Sequence, residues 1–423
     1  MNRWKFLHAA DIHLDSSLHG LERYEGAPVE EIRSATRRAF DNLIELAIDE
    51  EVAFVLLVGD LYDGDWKDYN TGLYFMQRMG RLREAGIRVF MLAGNHDAAS
   101  QITRHLRLTD NVTLFSTRHP QQVFLDDLNA AIHGQGFATR AVTDDLSQAY
   151  PQGDPQFFNI GLLHTCLDGK PGHEPYAPCT LDGLRSKGYQ YWALGHVHKR
   201  EVVSQAPWIV FPGNIQGRHI RESGPKGCTL VTVDDGEVAT VEHRDLDVMR
   251  WSLCELDISA SETVDDIYER VRGGLQATLD AAEGRAVSVR LVLAGACAVH
   301  ARLHAEREHW VQEFRALATG LGGAGIWLEK VFIDTRPAVS VTEVLARDDA
   351  LSGLLRAVRD MELDAAALAQ LAGEVSALRQ KLPAELLGGD DPYDPTDPQQ
   401  LKHVLEDIKE LLVNRLLSTE QGS

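Results

Sequence analysis

Along the first 250 residues, short apolar runs rich in β-branched side chains alternate with amphipathic stretches and glycine-rich turns. That rhythm belongs to strands joined by crossover helices, and it predicts a layered α/β domain. Strands are expected at 5–10, 53–58, 87–93, 112–115, 130–133, 159–164, 191–194, 208–211, 229–233 and 238–241, with helices at 30–50 and 69–85. In the first helix Phe40, Leu43, Ile44 and Ala47 recur on one face, the stripe a core-facing helix needs.

From residue 251 the texture changes to strand 251–258, helix 264–282, strand 286–293, helix 299–318 and strand 326–333, a small α+β domain. After Pro337 the pattern is helical: Leu351, Leu354, Leu355 and Val358 form one stripe, and Leu368, Leu371, Val375 and Leu378 another. The acidic, Pro- and Gly-rich stretch 388–398 cannot continue a helix and reads as a linker. A last amphipathic helix, 399–417, carries Leu401, Val404, Leu405, Ile408, Leu411 and Leu412 on one face. The expected organisation is therefore a domain at 1–248, a second at 249–336 and a helical region at 337–423.

Composition narrows this picture. With 423 residues and 44% apolar side chains the chain can bury two or three domain cores. Its longest apolar run, 52–58, falls far short of the ~20 residues a bilayer requires, and the N-terminus shows no signal-peptide core, so neither membrane insertion nor export is expected. Cys166, Cys179, Cys228, Cys254 and Cys297 are scattered without C-x-x-C pairs, which fits a reducing cytoplasm better than a disulfide framework or a zinc knuckle. The net charge of −21 opposes a nucleic-acid partner at first sight. Its distribution weakens that objection, because residues 251–423 hold 17 basic against 29 acidic side chains whereas 155–230 hold 8 against 5.

Five short segments carry the chemistry: Asp11-Ile12-His13, Gly59-Asp60, Gly94-Asn95-His96-Asp97, His164, and Gly195-His196-Val197-His198. Each sits at or just past the end of an apolar run, where α/β proteins place their ligands. In Asp11/His13 and His196/His198 the ligand-type residues are two apart, so on an extended strand end both side chains would face one way. Carboxylate, amide and imidazole donors without thiolate favour Mn²⁺, Fe²⁺ or Zn²⁺ over Ca²⁺ or Mg²⁺.

In this order the segments resemble the D-x-H, G-D, G-N-H, H, G-H-x-H pattern of the calcineurin-like metallophosphoesterases over about residues 5–200. The resemblance implies a four-layer αββα sandwich with a smaller α+β capping domain and a helical C-terminal region. It also implies two divalent metal ions, most often Mn²⁺, one on Asp11, His13, Asp60 and His198 and the other on Asp60, Asn95, His164 and His196, with Asp60 bridging. Such a pair would activate a water for in-line attack at phosphorus. His96 matches no ligand position and is expected to be the general acid. Asp97 would either orient His96 or cap the turn; Asp63 would either support the ligands from behind or be a plain loop aspartate.

Gly59-Asp60-Leu61-Tyr62-Asp63 and Gly94-Asn95-His96-Asp97 depart from the Ser/Thr protein phosphatase pattern, and together with Leu7-His8-Ala9-Ala10-Asp11-Ile12-His13 they look like the SbcD/YhaO-type DNA-repair exonucleases. That likeness implies DNA as substrate, an SMC-like ATPase partner docked through C-terminal helices, and a homodimer. Lys199, Arg200, Arg218, His219 and Lys226 are the expected phosphate contacts, with a solvated loop as the alternative for 218–226. A small-nucleotide phosphodiesterase would share every ligand.

Overall fold

The computed structural model of the chain describes residues 3–16, 29–62, 69–99, 108–167, 176–338, 344–361, 364–382 and 393–421. Asp63 and residues 388–392 of the 388–398 stretch lie outside them. The first elements are β1 (Arg3–Ala9), α1 (Val29–Asp49), β2 (Phe54–Val58), α2 (Tyr69–Glu84), β3 (Arg88–Leu92), the single turn α3 (Asn95–Ala99) and β4 (Val112–Leu114). Next come β5 (Gln121–Leu125), β6 (Ala130–Gly134), β7 (Phe158–His164), α4 (Leu181–Arg185), β8 (Tyr191–Gly195), β9 (Glu201–Gln205), β10 (Trp208–Phe211), β11 (Gly227–Asp234) and β12 (Glu237–Asp245).

These strands form two six-stranded sheets, ordered β12-β11-β1-β2-β3-β4 and β5-β6-β7-β8-β10-β9. Strand alternation decides the layering. Trp4 and Phe6 of β1, Phe54 and Leu56 of β2 and Phe90 of β3 face Ile132, Phe158, Ile160 and Tyr191 of the second sheet. The intervening Leu7, Val55, Leu57, Val89 and Met91 face Phe40, Leu43, Ile44 and Phe75 of α1 and α2. Each fully buried Phe of the central layer contributes about 1.5–3 kcal/mol by leaving water, and Phe6 stacks on Phe54 at 5.1 Å. Leu163, Trp192, Leu194 and Phe211 on the far side of the second sheet meet Leu184 of α4, which completes a four-layer αββα arrangement. The two strands that periodicity did not reveal, β5 and β9, are the edges of the second sheet. Edge strands pair on one side only, so their sequences keep polar positions that blur the pattern.

His8 is the polar exception in the apolar layer. Its Nδ1 lies 3.0 Å from Tyr191 Oη and its Nε2 3.1 Å from the Leu194 carbonyl, tying β1 to β8 across the two sheets. Burial pushes its pKa down to about 3. The unfolded chain takes up this proton below about 6.5 while the native state refuses it. The stability His8 allows is therefore complete above pH 6.5 and lost progressively as pH falls toward 3. Metal-free protein should lose about 1 kcal/mol more stability between pH 6 and pH 5 than its His8→Gln variant, measured by urea unfolding; parallel losses would refute this.

The remaining elements are β13 (Met249–Asp257), α5 (Val264–Ala281), β14 (Ala286–Cys297), α6 (His300–Ala305), α7 (Arg307–Gly322), β15 (Ile326–Pro337), α8 (Ala350–Arg359), α9 (Ala365–Arg379) and α10 (Pro398–Gln421). β13, β14 and β15 make a three-stranded sheet in that order. The chain divides into two compact units, one of Met1–Cys254, Gln276–Arg290 and Ala318–Lys330, the other of Glu255–Leu275, Leu291–Leu317 and Val331–Ser423. The single helix expected at 299–318 is two, α6 and α7, with Glu306 between them; His300 and His304 of α6 are both held on Thr335 Oγ1 of β15, at 2.8 and 3.1 Å. On α10, Leu401 is buried, but Ile408 and Leu411 are about half exposed, because Val413 and Leu416 on another face pack on Val344 and Leu355. All five cysteines are buried and free. Among the described residues no helix is long and apolar enough to cross a membrane.

Candidate metal centre

β1, β2 and β3 run parallel, as do β7 and β8, so the loops that leave them open at common edges. The β1 and β2 loops continue the ladder past the strands: Asp11 N donates to Gly59 O, His13 N to Asp60 O and Leu14 N to Leu61 O, at 3.1, 3.0 and 2.9 Å. The ligand pairs are not on extended strand ends, as their spacing suggested. Asp11, His13, Asp60 and His196 adopt φ of 52°, 48°, 51° and 99°, the left-handed region that L-residues avoid. Each such residue costs of the order of 1–3 kcal/mol, a strain that surrounding contacts must offset. Asp15, next along the loop, accepts Arg37 Nε at 2.6 Å and Thr71 Oγ1 at 2.5 Å, pinning the loop to α1 and α2.

Two glycines make room for the convergence. A Cβ on Gly94 would fall on Asp60 Oδ1 and come within 2.7 Å of Asp60 N; one on Gly195 would overlap the Val58 carbonyl and reach 2.9 Å from His164 Nδ1.

The donors gather in two groups, Asp11/His13/His198 and Asp60/His164/His196, each with its ligand atoms within 4.8 Å of one another. His13 Nε2 and His198 Nε2 point at each other across 3.2 Å. Asn95 Oδ1, 2.9 Å from His164 Nε2, brings the amide to the second group. All seven expected ligands are thus brought together, and buried carboxylates, an amide and imidazoles converging in this way suit divalent cations. Electrostatics agrees. Burial lifts the Asp11 carboxyl above its usual range against the pull of His198 and His164. For Asp60 burial acts upward too, but His164, His13 and His96 more than offset it and hold the group well below the carboxylate range. Burial lowers His164, and Asp60 outweighs it, raising the imidazole to about 9. A carboxylate so strongly favoured by imidazoles of both groups stands where a bridging ligand belongs.

His96 donates its backbone N–H to Asp60 Oδ1 at 2.9 Å, and its half-buried ring lies edge-on to His13, centroids 5.0 Å apart. Asp97 takes the capping part of its two expected roles: Oδ2 accepts Gly94 N at 3.0 Å and Leu61 N at 3.2 Å, and Oδ1 accepts Tyr62 N at 3.0 Å. Reaching back from the third residue of α3 to the amide before it is half of a capping box, and it clamps the Asp60 and Asn95 loops together. Burial, with Asp60 adding, raises this carboxyl to about 6.

Among the expected phosphate contacts, Lys199 is exposed and Arg200 half buried. His219 keeps 53% of its side chain exposed, 3.6 Å from Glu222. Arg218 lies beside His198 Nδ1 at 3.3 Å but is paired with Glu222. Lys226 corrects the expectation: it is 8% exposed and donates to the His198 carbonyl at 3.3 Å, so it props a ligand's backbone instead of facing a phosphate. Sequence reasoning also missed Glu222. It lies 24 residues beyond His198, outside every motif, and its Oε1 accepts from His198 Nδ1 at 2.7 Å. Burial would raise this carboxyl, yet His198 and Arg218 hold it well below the usual range.

A calcineurin-like phosphoesterase family pattern matches residues 5–200, and the pattern of the metallophosphoesterase YhaO middle domain matches 251–336. The chain is 35% identical to the uncharacterized metallophosphoesterase YhaO of Bacillus subtilis over 294 residues, covering 69% of this chain and 71% of that one. The chain therefore belongs to the calcineurin-like metallophosphoesterase family, and it is a metal-dependent hydrolase with a dinuclear set of candidate ligands. Within that family it is also 26% identical over 273 residues to the DNA double-strand break repair protein Mre11 of Sulfurisphaera tokodaii, covering 61% of this chain and 66% of that one. A crystal structure of a dimetal phosphatase from Danio rerio aligns with a TM-score of 0.34 at 12% identity, covering 55% of this chain and 93% of that chain.

Proposed function

We infer that this protein is a metal-dependent DNA nuclease, hydrolysing phosphodiester bonds in repair. The complete seven-residue donor set with His96 beside it carries the hydrolytic half of this reading. The likeness to a protein named for double-strand break repair supports the choice of DNA. Asp11, His13, Asp60 and His198 would hold one ion and Asp60, Asn95, His164 and His196 the other, with Mn²⁺ the metal we expect. When bound, two such ions supply Lewis acidity and lower the pKa of a water. The protein's own part is to fix both positions through Asp60, to keep Asp97 clamping the two loops, and to offer the His96 imidazole as proton donor to the leaving oxygen. Lys199, Arg200 and His219 remain available to a phosphate chain, with Arg218 close by. Ile408 and Leu411 leave apolar surface on α10 for an SMC-like ATPase groove; a homodimer is the assembly we expect.

End-labelled single- and double-stranded DNA, incubated with Mn²⁺ or Mg²⁺, should be cut in Mn²⁺ and far less in Mg²⁺. Two-ion binding without cleavage of either DNA would defeat the nuclease reading. The engagement of Arg218 and Lys226 inside the fold, on a chain of net charge −21, favours a small-nucleotide phosphodiesterase as the second reading. It predicts turnover of bis-p-nitrophenyl phosphate and cyclic nucleotides with no cleavage of DNA.

A further inference from the structure

We propose that Glu222 is a positioning residue for His198, through which the loop after β10 controls the Asp11/His13/His198 metal site and leaves the Asp60/His164/His196 site unaffected. The inference rests on reading the seven donors as a metal centre; it does not need DNA to be the substrate.

Glu222 is 6% exposed, and each of its oxygens is spoken for. Oε1 accepts from His198 Nδ1 at 2.7 Å and Arg218 Nη2 at 3.3 Å; Oε2 accepts from Arg218 N at 2.8 Å and Asn214 Nδ2 at 3.0 Å. The carboxylate can accept but not donate, so the proton between it and the imidazole belongs to Nδ1. The lone pair of His198 is then on Nε2, the atom that lies 3.2 Å from His13 Nε2 and 3.9 Å from Asp11 Oδ1. A carboxylate behind a ligating imidazole fixes its tautomer and ring angle and strengthens its donor.

The other group is supported differently. His164 Nδ1 bonds the uncharged Val58 carbonyl at 3.0 Å, which orients the ring and adds no charge. Removing Glu222's charge therefore acts on one site. The loop presenting Glu222 is itself fixed: Gln216 Nε2 donates to Met249 O at 2.6 Å, Trp251 Nε1 to Gly217 O at 3.0 Å, and Gly224 N to Trp251 O at 3.1 Å. Glu222 is thus held in place by β13, independently of His198.

Mn²⁺ calorimetry on full-length wild type should resolve two binding steps. Glu222→Gln should weaken one of them by about 10–100-fold and leave the other within about twofold. Turnover of bis-p-nitrophenyl phosphate by this variant should be low at limiting Mn²⁺ and recover at saturating Mn²⁺. Equal weakening of both steps, no weakening, or a deficit that persists at saturation would overturn the proposal. A test that does not depend on the variant folding is the long-range ¹H–¹⁵N spectrum of His198 in Zn²⁺-loaded wild type: a proton on Nδ1 with Nε2 metal-bound is expected, and the reverse would overturn it. Neither measurement uses DNA, so a protein that binds two ions and cuts no DNA would defeat the nuclease reading while leaving this one standing.

Discussion

Replacing Asp60 with Asn should lower kcat/KM for any phosphodiester by roughly 10³-fold or more, about 4 kcal/mol of transition-state stabilisation, and cut Mn²⁺ stoichiometry from two to one or fewer. Two divalent ions a few ångströms apart repel each other, and the anion between them is what makes their joint occupancy stable. On the proposed reading this anion is Asp60: it is 2% exposed, its Oδ2 is 3.3 Å from His164 Nε2, and His13 of the other group also stabilises its charge. Asn keeps the shape, and its Oδ1 can still accept the His96 N–H, so the fold should survive; circular dichroism of the metal-free variant checks this. Retention of two tightly bound ions, or of more than a tenth of the activity, would remove Asp60 from the bridging role.

Replacing His96 with Ala should lower kcat on DNA by about 10²–10⁴-fold while both Mn²⁺ steps stay within a few-fold of wild type. The separation follows from which part of His96 does what. Its backbone N–H, the part that bonds Asp60 Oδ1, is still present in Ala, whereas the imidazole edge-on to His13 is removed. If the imidazole protonates the leaving oxygen, a leaving group that needs no proton should depend on it less. The deficit on bis-p-nitrophenyl phosphate should accordingly be much smaller than on DNA. Equal deficits on both substrates would mean that His96 steadies the transition state without acting as acid, and loss of ion binding would make it a structural residue of the site.

Much of this was legible in the one-dimensional pattern. Near-continuous burial along β1, β2 and β3 follows from a sheet covered on both faces, and the residues themselves show it as short unbroken apolar runs. The seven donors were recognisable because each closes an apolar strand in a compact motif, with a glycine before Asp60, Asn95 and His196. The edge strands β5 and β9 were not legible, since half-exposed pairing leaves no distinctive periodicity. Nor was the split of 299–318 into α6 and α7, which no proline or glycine announces.

What the sequence determined by itself was therefore the set of groups that meet a metal: residue type and local spacing are short-range properties, written within a few residues of each strand end. What only the tertiary structure decided was their surroundings. The left-handed turns of Asp11, His13 and Asp60 follow from loop ladders that pair residues about 50 apart. Asp97 became a clamp because amides of two separate loops lie within its reach, and Lys226 became a prop because the His198 carbonyl does. Glu222 acquires its meaning only when a loop 24 residues downstream folds back onto His198. Hydrogen bonds and Coulomb interactions depend on distance in space, and for these residues that distance is unrelated to distance along the chain.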